Sequence, residues 1–181
     1  MTFCRSDAFW RSSTQGSDLL LRPWLHDHGS LTGRIVARCE KFSVQPVKNG
    51  LARITYDEAA VLGIAPHRLA WSREVFLYAD GQPVVFAHST CAVQQLRGAW
   101  RAMAGLGNRS LGSLLFTHPL VGRQPLHFKV LPAHHPLYCR AAAVLSAPPA
   151  RLLARRSLFY LNNSPLLVTE VFLPEILRLH A

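Results

Sequence analysis

Two charged residues stand in stretches of the sequence whose other features predict buried strands. Arg73 lies in the segment WSREVFL, where strand alternation puts it on the same face as Val75 and Leu77. Glu170 is the only charge in the apolar segment LLVTEVFL and shares a face with Phe172. A strand that is apolar on both faces is normally buried on both, so each charge needs a partner or a cavity.

Two kinds of chemistry would satisfy these charges. In the structural interpretation, Arg73 and Glu170 form a buried ion pair or sit at strand edges in water. In the functional interpretation, Arg73 binds a ligand carboxylate through a two-pronged hydrogen bond inside a closed pocket. Glu170 then contacts a second polar group of the ligand and is placed for proton transfer. The residues alone leave both interpretations open.

The elements that must position these charges are predicted to be two hairpins. Asp80-Gly81 and Asn162-Asn163-Ser164-Pro165 are turn signals between segments of strand character. The paired segments are residues 71–79 with 83–93, and residues 157–161 with 166–173.

The rest of the chain predicts further strands and a few helices. We expect a short helix after Ser17-Asp18, extended structure over 32–47, helices over 93–104 and 110–116, and a strand over 125–131. Residues 1–17 are predicted to be irregular. The sequence therefore predicts one α+β domain over residues 1–181, a single antiparallel β-sheet with a few helices on one side.

Composition excludes several classes of protein. With 181 residues, 49% hydrophobic and 17% charged, the chain is too apolar to be disordered. It has no apolar run long enough for a membrane span and no secretion signal, which favours a cytoplasmic location. A net charge of +10 favours anionic partners, among them nucleic acid, anionic membrane and small polycarboxylates. An arginine excess is also typical of GC-rich genomes.

Metal and redox chemistry have weak signals. The four cysteines form no C-x-x-C pair, which favours reduced, packed thiols. His26 with His28, and His134 with His135, lack a third ligand at metal-site spacing. There is no glycine-rich phosphate loop. We therefore expect neither a metal nor a cofactor.

The chain resembles the chorismate lyase family over residues 24–174. Four segments carry the resemblance, in the order in which the family has them, and the last is the most specific. They are WL with GSLT at 24–32, WSREV with ADG at 71–81, LG with LGSLLF at 106–116, and ARRS with LLVTEVFLP at 154–174.

The resemblance implies a function and a set of roles. The family converts chorismate to 4-hydroxybenzoate and pyruvate without a cofactor, the first committed step toward ubiquinone. Arg73 matches the arginine that binds the ring carboxylate, and Glu170 matches the glutamate that meets the ring hydroxyl. Leu31 and Leu111 match residues that offer backbone N–H groups to the ligand; from the residues alone they are core leucines. The family also suggests a monomer.

One position departs from the family pattern. His88 stands where the family commonly has an arginine, which we expect to face the ligand or its entry path. Ala92 stands in place of a proline. His88 could serve the ligand, or it could be a satisfied core or surface histidine. Arg155 and Arg156 are candidates for the second carboxylate of chorismate, with structural salt bridges as the alternative.

The resemblance also predicts how ligands enter and leave. Segments 29–32 and 105–112 contain glycine and adjoin the predicted contacts, so they are natural covers for the site. We expect slow product release and product inhibition.

Two other functions compete with the lyase. One is a non-catalytic small-molecule-sensing domain, since effector domains of some transcription regulators are similar in fold. About 23 residues precede Trp24, too few for a helix-turn-helix before it. The other is nucleic-acid binding, which the scattered arginines disfavour. We expect no nucleic-acid partner and no stable membrane insertion.

Overall fold

One antiparallel sheet forms the centre of the protein. The computed structural model describes residues 10–14, 19–65 and 67–179, and within them the sheet has seven strands. These are β1 Phe42–Arg53, β2 Leu69–Ala79, β3 Gln82–Cys91, β4 Gly122–Arg123, β5 His127–Pro132, β6 Arg151–Leu161 and β7 Ser164–Phe172. The order across the sheet is β1-β2-β3-β7-β6-β4, and β5 also pairs with β6.

Short helices cover the sheet. The α-helices are α1 Arg22–Leu25, α2 Leu31–Val36, α3 Tyr56–Leu62, α4 Leu111–Thr117 and α5 Pro136–Ala142. In the part of the chain that the structure describes, three 3-10 segments span Val93–Arg97, Arg101–Gly105 and Pro174–Arg178. No helix in the described ranges is long and apolar enough to cross a membrane.

The two predicted hairpins are confirmed, and their turns are two residues each. Asp80 and Gly81 have φ of 49° and 79°, and Asn162 and Asn163 have φ of 49° and 60°. Positive φ at both central positions is the type I′ turn that suits the twist of paired strands. Ser164 and Pro165 therefore belong to β7, although the sequence analysis places them in the connection.

Two local predictions are wrong. Residues 32–36 are helical instead of extended, because the Ser30 hydroxyl caps α2 by accepting from the Gly33 N–H at 3.2 Å. The predicted helix over 93–104 is two 3-10 segments. Gly98 interrupts them with φ −121° and ψ −120°, a conformation that no helix contains.

The sheet is buried on both faces, and the fold class, a single antiparallel sheet with α+β character, is confirmed. Residues 71–77 of β2 are all buried, although alternate side chains point to opposite faces. We name the face that carries Arg73 and Glu170 the cavity face, and the face that carries Glu74 and His88 the far face.

Helices lie on both faces rather than on one side as predicted. Residues of α1, α2 and α4 pack in clusters with apolar side chains of the cavity face, such as Val75 and Val168. Residues of α5 pack with Phe76 and Val171 of the far face, and α3 contacts His88 there. A sheet that is apolar on both faces needs cover on both, which explains the difference.

The cysteines differ in their exposure. Cys91 is buried, as expected for a packed thiol, and burial raises its pKa to about 12. Cys39 is partly buried and Cys139 is exposed, so the prediction of a packed thiol is wrong for Cys139. All three are free thiols, and Cys4 lies outside the described residues.

A cluster of charged side chains is buried on the far face. His88 Nε2 lies 2.8 Å from Glu58 of α3, and His88 Nδ1 lies 3.1 Å from Glu74 of β2. Arg140 of α5 also pairs with Glu74. The two carboxylates and two cations balance, which is how a buried charge is tolerated. The cluster ties both far-face helices to the sheet.

The cluster shifts the pKa values of its members in opposite directions. Burial alone would raise the pKa of Glu58, but the charge and hydrogen bond of His88 and the hydrogen bonds from Thr55 lower it to about 2. Burial alone would lower the pKa of His88, but the two carboxylates outweigh it and raise that pKa. The stabilisation from His88 is thus full below its ordinary pKa of 6.5 and is lost as pH rises through the raised value.

Glu58→Gln is expected to reduce acid sensitivity while destabilising the protein at neutral pH. The pKa of Glu58 is about 2 in the fold against an ordinary 4.5, a difference worth about 3 kcal/mol that is present above pH 4.5 and lost as pH falls toward 2. Urea unfolding measured between pH 4.5 and pH 2 should show that the unfolding free energy of the wild type falls by about 3 kcal/mol through this group. The variant should lack that part of the decrease.

Glu40→Gln is the matched control, because Glu40 is exposed. It should change the unfolding free energy by no more than about 0.5 kcal/mol. Equal pH profiles for wild type and Glu58→Gln would contradict the assigned cluster.

Candidate active site

A cavity of about 560 Å³, including its mouth, lies on the cavity face. Its floor is formed by β2, β3, β7 and β6, and its cover is formed by α2 and α4. Arg73, Glu170, Leu31 and Leu111 all line it. The structure therefore brings together, around one cavity, the four residues that the sequence analysis singled out.

Arg73 is a buried cation that has no carboxylate partner in the described ranges. Only 2% of the residue is exposed. Its Nη2 donates to the backbone oxygens of Gly107 at 3.0 Å and Arg109 at 2.9 Å. Burial lowers the pKa of the guanidinium, because removal of water disfavours its charge. A guanidinium in this setting favours a ligand that supplies the missing negative charge.

Gly107 favours this arrangement. It has φ +51°, a conformation that residues with a side chain rarely adopt. The turn it makes aims its carbonyl oxygen at Arg73. The backbone between the 3-10 segment and α4 is thus shaped to hold the guanidinium in place.

Glu170 pairs with Arg155 and not with Arg73. Its Oε2 accepts from Arg155 Nε at 2.6 Å, and 18% of its side chain remains exposed. β3 lies between the strands of Arg73 and Glu170. The two charges thus stand apart in one cavity, and the structural interpretation, a mutual ion pair or strand-edge exposure, is wrong.

Arg155 holds Glu170 to the segment that leads into α2. The residue is fully buried. Its Nη1 donates to the backbone oxygens of Trp24 at 2.8 Å, Leu25 at 3.3 Å and Asp27 at 2.7 Å. These bonds occupy Nε and Nη1, which assigns Arg155 a positioning role.

Arg156 lies on the far face, where it pairs with Asp57 of α3. Strand alternation separates it from its neighbour Arg155 and from the cavity. The structural alternative, a salt bridge, is therefore the correct one for both arginines.

The first residues of α2 and α4 are Leu31 and Leu111. N–H groups in the first turn of a helix have no acceptor within the helix. The two helices are joined by a hydrogen bond of 2.6 Å between Thr32 Oγ1 and Ser110 Oγ. They approach so closely that a Cβ on Gly112 would lie 2.9 Å from Thr32 Oγ1.

Arg123 is a cavity residue that the sequence analysis missed. Its Nε donates to Ser157 Oγ at 3.2 Å, and its Nη1 donates to the backbone oxygen of His28 at 2.9 Å. The rings of Phe116 and Phe159 lie 5.5 and 5.2 Å from its guanidinium carbon. It belongs to a two-residue strand, which is too short to show an alternation pattern.

His88 does not face the cavity, so the expectation that this position faces the ligand or its entry path is wrong. Its neighbour Ala87 pairs in register with Glu170 and lines the cavity. Alternation therefore turns His88 to the far face, where Glu58 and Glu74 surround it. Of the two alternatives for His88, the structure supports the core histidine, since both of its ring nitrogens contact carboxylates.

Two of the four histidines considered for metal binding have other contacts. The ring of His26 is hydrogen-bonded to Thr14 Oγ1 at 2.9 Å, and His135 Nδ1 accepts from the Leu137 N–H at the start of α5. Within the ranges that the structure describes, no three His, Cys, Asp or Glu side chains form a cluster that could hold a metal ion.

Arg155→Gln is expected to lower the unfolding free energy by about 3 kcal/mol, because it leaves Glu170 and three carbonyl oxygens without their donor. Chemical denaturation measures the effect. Arg53→Gln, on exposed edge strand β1, is the control and should stay within about 0.5 kcal/mol of wild type. Similar stability for the two variants would show that the contacts of Arg155 with Glu170 and with the backbone before α2 do not stabilise the fold.

Solved structures share the fold at low sequence identity. The effector domain of PhnF from Mycobacterium smegmatis matches with a TM-score of 0.54 and 18% identity, covering 81% of this chain and 90% of that chain. The ligand-binding domain of a GntR-family transcriptional regulator from Bordetella bronchiseptica matches with a TM-score of 0.54 and 15% identity, covering 75% and 84%. These similarities establish the architecture of the sheet and its helices.

Sequence comparisons identify the family. The chorismate lyase family model matches residues 4–180. A probable chorismate pyruvate-lyase of Nitrosospira multiformis is 52% identical over 171 residues, covering 94% of this chain and 95% of that protein. One of Nitrosomonas europaea is 49% identical over 170 residues, covering 94% and 96%. With Arg73 and Glu170 facing one cavity, the chain belongs to the chorismate lyase family of carbon–oxygen lyases.

Proposed function

We propose that this protein converts chorismate to 4-hydroxybenzoate and pyruvate. The observation that carries the proposal is the buried Arg73 guanidinium, which faces a cavity without a carboxylate partner in the described structure. The names of the relatives support the substrate. We place this reaction in the cytoplasm, and by the family resemblance its aromatic product enters ubiquinone synthesis.

The substrate is oriented by its two ends. Arg73 binds the ring carboxylate, and Glu170, held by Arg155, accepts a hydrogen bond from the ring hydroxyl. The N–H groups of Leu31 and Leu111 add hydrogen bonds from the cover, as the family resemblance implies. All of these groups come from one chain, so a monomer is sufficient.

The reaction balances within the substrate. The bond between C3 of the ring and the ether oxygen breaks, and its electron pair leaves with the enolpyruvate. The C4–H bond gives its electron pair to the new ring double bond, which completes the aromatic ring. The C4 proton is balanced by protonation of the enolpyruvate methylene, which yields pyruvate. No oxidant, reductant or water is consumed, so no cofactor is required.

Catalysis in this proposal comes from orientation and exclusion of water. Glu170 fixes the hydroxyl on C4 and assists removal of the hydrogen on the same carbon. The cover of α2 and α4 closes over the ring and keeps water from the charged groups. Aromatisation supplies the driving force.

Arg73→Gln is expected to lower kcat/KM for chorismate by about 100-fold or more. The substitution removes the buried, charge-assisted bidentate hydrogen bond between the guanidinium and the substrate carboxylate. The assay follows 4-hydroxybenzoate and pyruvate together, and the wild type should release them in equal amounts. Arg53→Gln is the matched control and should keep wild-type turnover, since Arg53 is exposed and does not line the cavity.

Near-normal turnover by Arg73→Gln would show that Arg73 does not bind the ring carboxylate of the substrate. Saturable binding of chorismate by the wild type with no product would instead indicate a sensing domain.

Product release is expected to limit turnover, because the helices that cover the cavity must separate before the product leaves. Rapid mixing with excess chorismate should show a burst of 4-hydroxybenzoate close to one equivalent, followed by a slower steady rate. Added 4-hydroxybenzoate should inhibit. A constant rate from the first turnover, without inhibition by product, would contradict closure over the product.

A further inference from the structure

We propose that Arg123 binds the second carboxylate of the substrate, the one on the enolpyruvyl group that leaves as pyruvate. This inference rests on the proposed function and assigns a residue to the part of the substrate that Arg73 and Glu170 do not contact. It takes the place of Arg155 and Arg156 in this role, because Arg155 is fully buried, pairs with Glu170 and does not line the cavity, and Arg156 lies on the far face.

The order of strands places three charged groups across the cavity. Arg73 lies on β2, Glu170 on β7 and Arg123 on β4, with β3 and β6 between them. Arg123 is near enough to Glu170 for the carboxylate to favour its charge, in opposition to burial, which lowers its pKa. Arg123 therefore stands at the Glu170 end of the cavity, away from Arg73.

The substrate has its groups in the same order. The ring carboxylate is on C1, the hydroxyl is on C4 and the enolpyruvyl ether is on C3, next to C4. With the carboxylate at Arg73 and the hydroxyl at Glu170, the enolpyruvyl group must lie beside Glu170. A second cation is needed there, since the group ends in a carboxylate.

Arg123 has donors to spare for this anion. It has no carboxylate within ion-pair distance among the described side chains, and its two hydrogen bonds go to the neutral oxygens of Ser157 and His28. A guanidinium carries more N–H donors than these bonds use. Phe116 and Phe159 flank it, and their rings limit the water that would compete for those donors.

A purely structural role for Arg123 predicts a different result. Its bond to the His28 carbonyl holds the segment before α2. If that were its whole contribution, its loss would weaken every ligand equally, because the cover would loosen for all of them. A second-carboxylate contact affects only ligands that carry that carboxylate.

The test compares two ligands on the same variants. The probes are 4-hydroxybenzoate, with one carboxylate, and 3-(carboxymethoxy)-4-hydroxybenzoate, an unreactive dicarboxylate that mimics the substrate. Arg123→Gln should weaken the dicarboxylate by about 10- to 100-fold and leave the Kd of 4-hydroxybenzoate within about threefold. Arg123→Lys should recover part of the lost affinity for the dicarboxylate, because lysine keeps the positive charge but cannot form a bidentate hydrogen bond. kcat/KM for chorismate should follow the dicarboxylate.

Arg53→Gln is the control for net charge and should change neither Kd. Equal losses for both probes, or no loss for either, in a folded Arg123→Lys or Arg123→Gln would overturn the assignment of Arg123. Failure of the wild type to convert chorismate would overturn the proposed function. The probes need no turnover, so the two failures are distinguishable.

Discussion

Burial of the Arg73 charge is the constraint on which the site depends. A guanidinium cannot lose its proton at ordinary pH, so the fold must supply acceptors or leave the charge for a ligand. The protein supplies two backbone oxygens, from Gly107 and Arg109, and no carboxylate in the described structure. Two neutral acceptors satisfy donors but do not neutralise charge. The cavity is therefore poised for an anion, and the rest of the site determines which one.

Both faces of the sheet carry buried charges, and the charges are compensated differently on each face. On the far face, Glu58, Glu74, His88 and Arg140 neutralise one another, which fixes α3 and α5 to the sheet. On the cavity face, Arg155 takes up Glu170 and the backbone before α2, but the charge of Arg73 is left uncompensated. The far-face charges thus stabilise the fold, whereas Arg73 and Arg123, which have no carboxylate partner among the described residues, are available for binding.

The sequence predicted the parts of the site that follow strand alternation. Arg73 and Glu170 were identifiable because each is a charge in an apolar strand with turn signals nearby. Leu31 and Leu111 depended on the family resemblance, since a backbone N–H leaves no trace in the residue type. Arg123 was missed because a two-residue strand has no period.

Contacts between distant elements were also beyond sequence reasoning. His88 was expected near the ligand, although its place in β3 sets it one residue out of phase with Ala87 on the cavity face. The partner that explains it, Glu58, comes from a helix that was not predicted, and Thr55 and Glu58 carry the capping-box signal that could have revealed it.

The most direct test of the central claim is a crystal structure with bound 4-hydroxybenzoate. We expect its carboxylate within hydrogen-bond distance of the Arg73 guanidinium and its hydroxyl at Glu170; a ligand in the reverse orientation, or outside the cavity, would contradict the account.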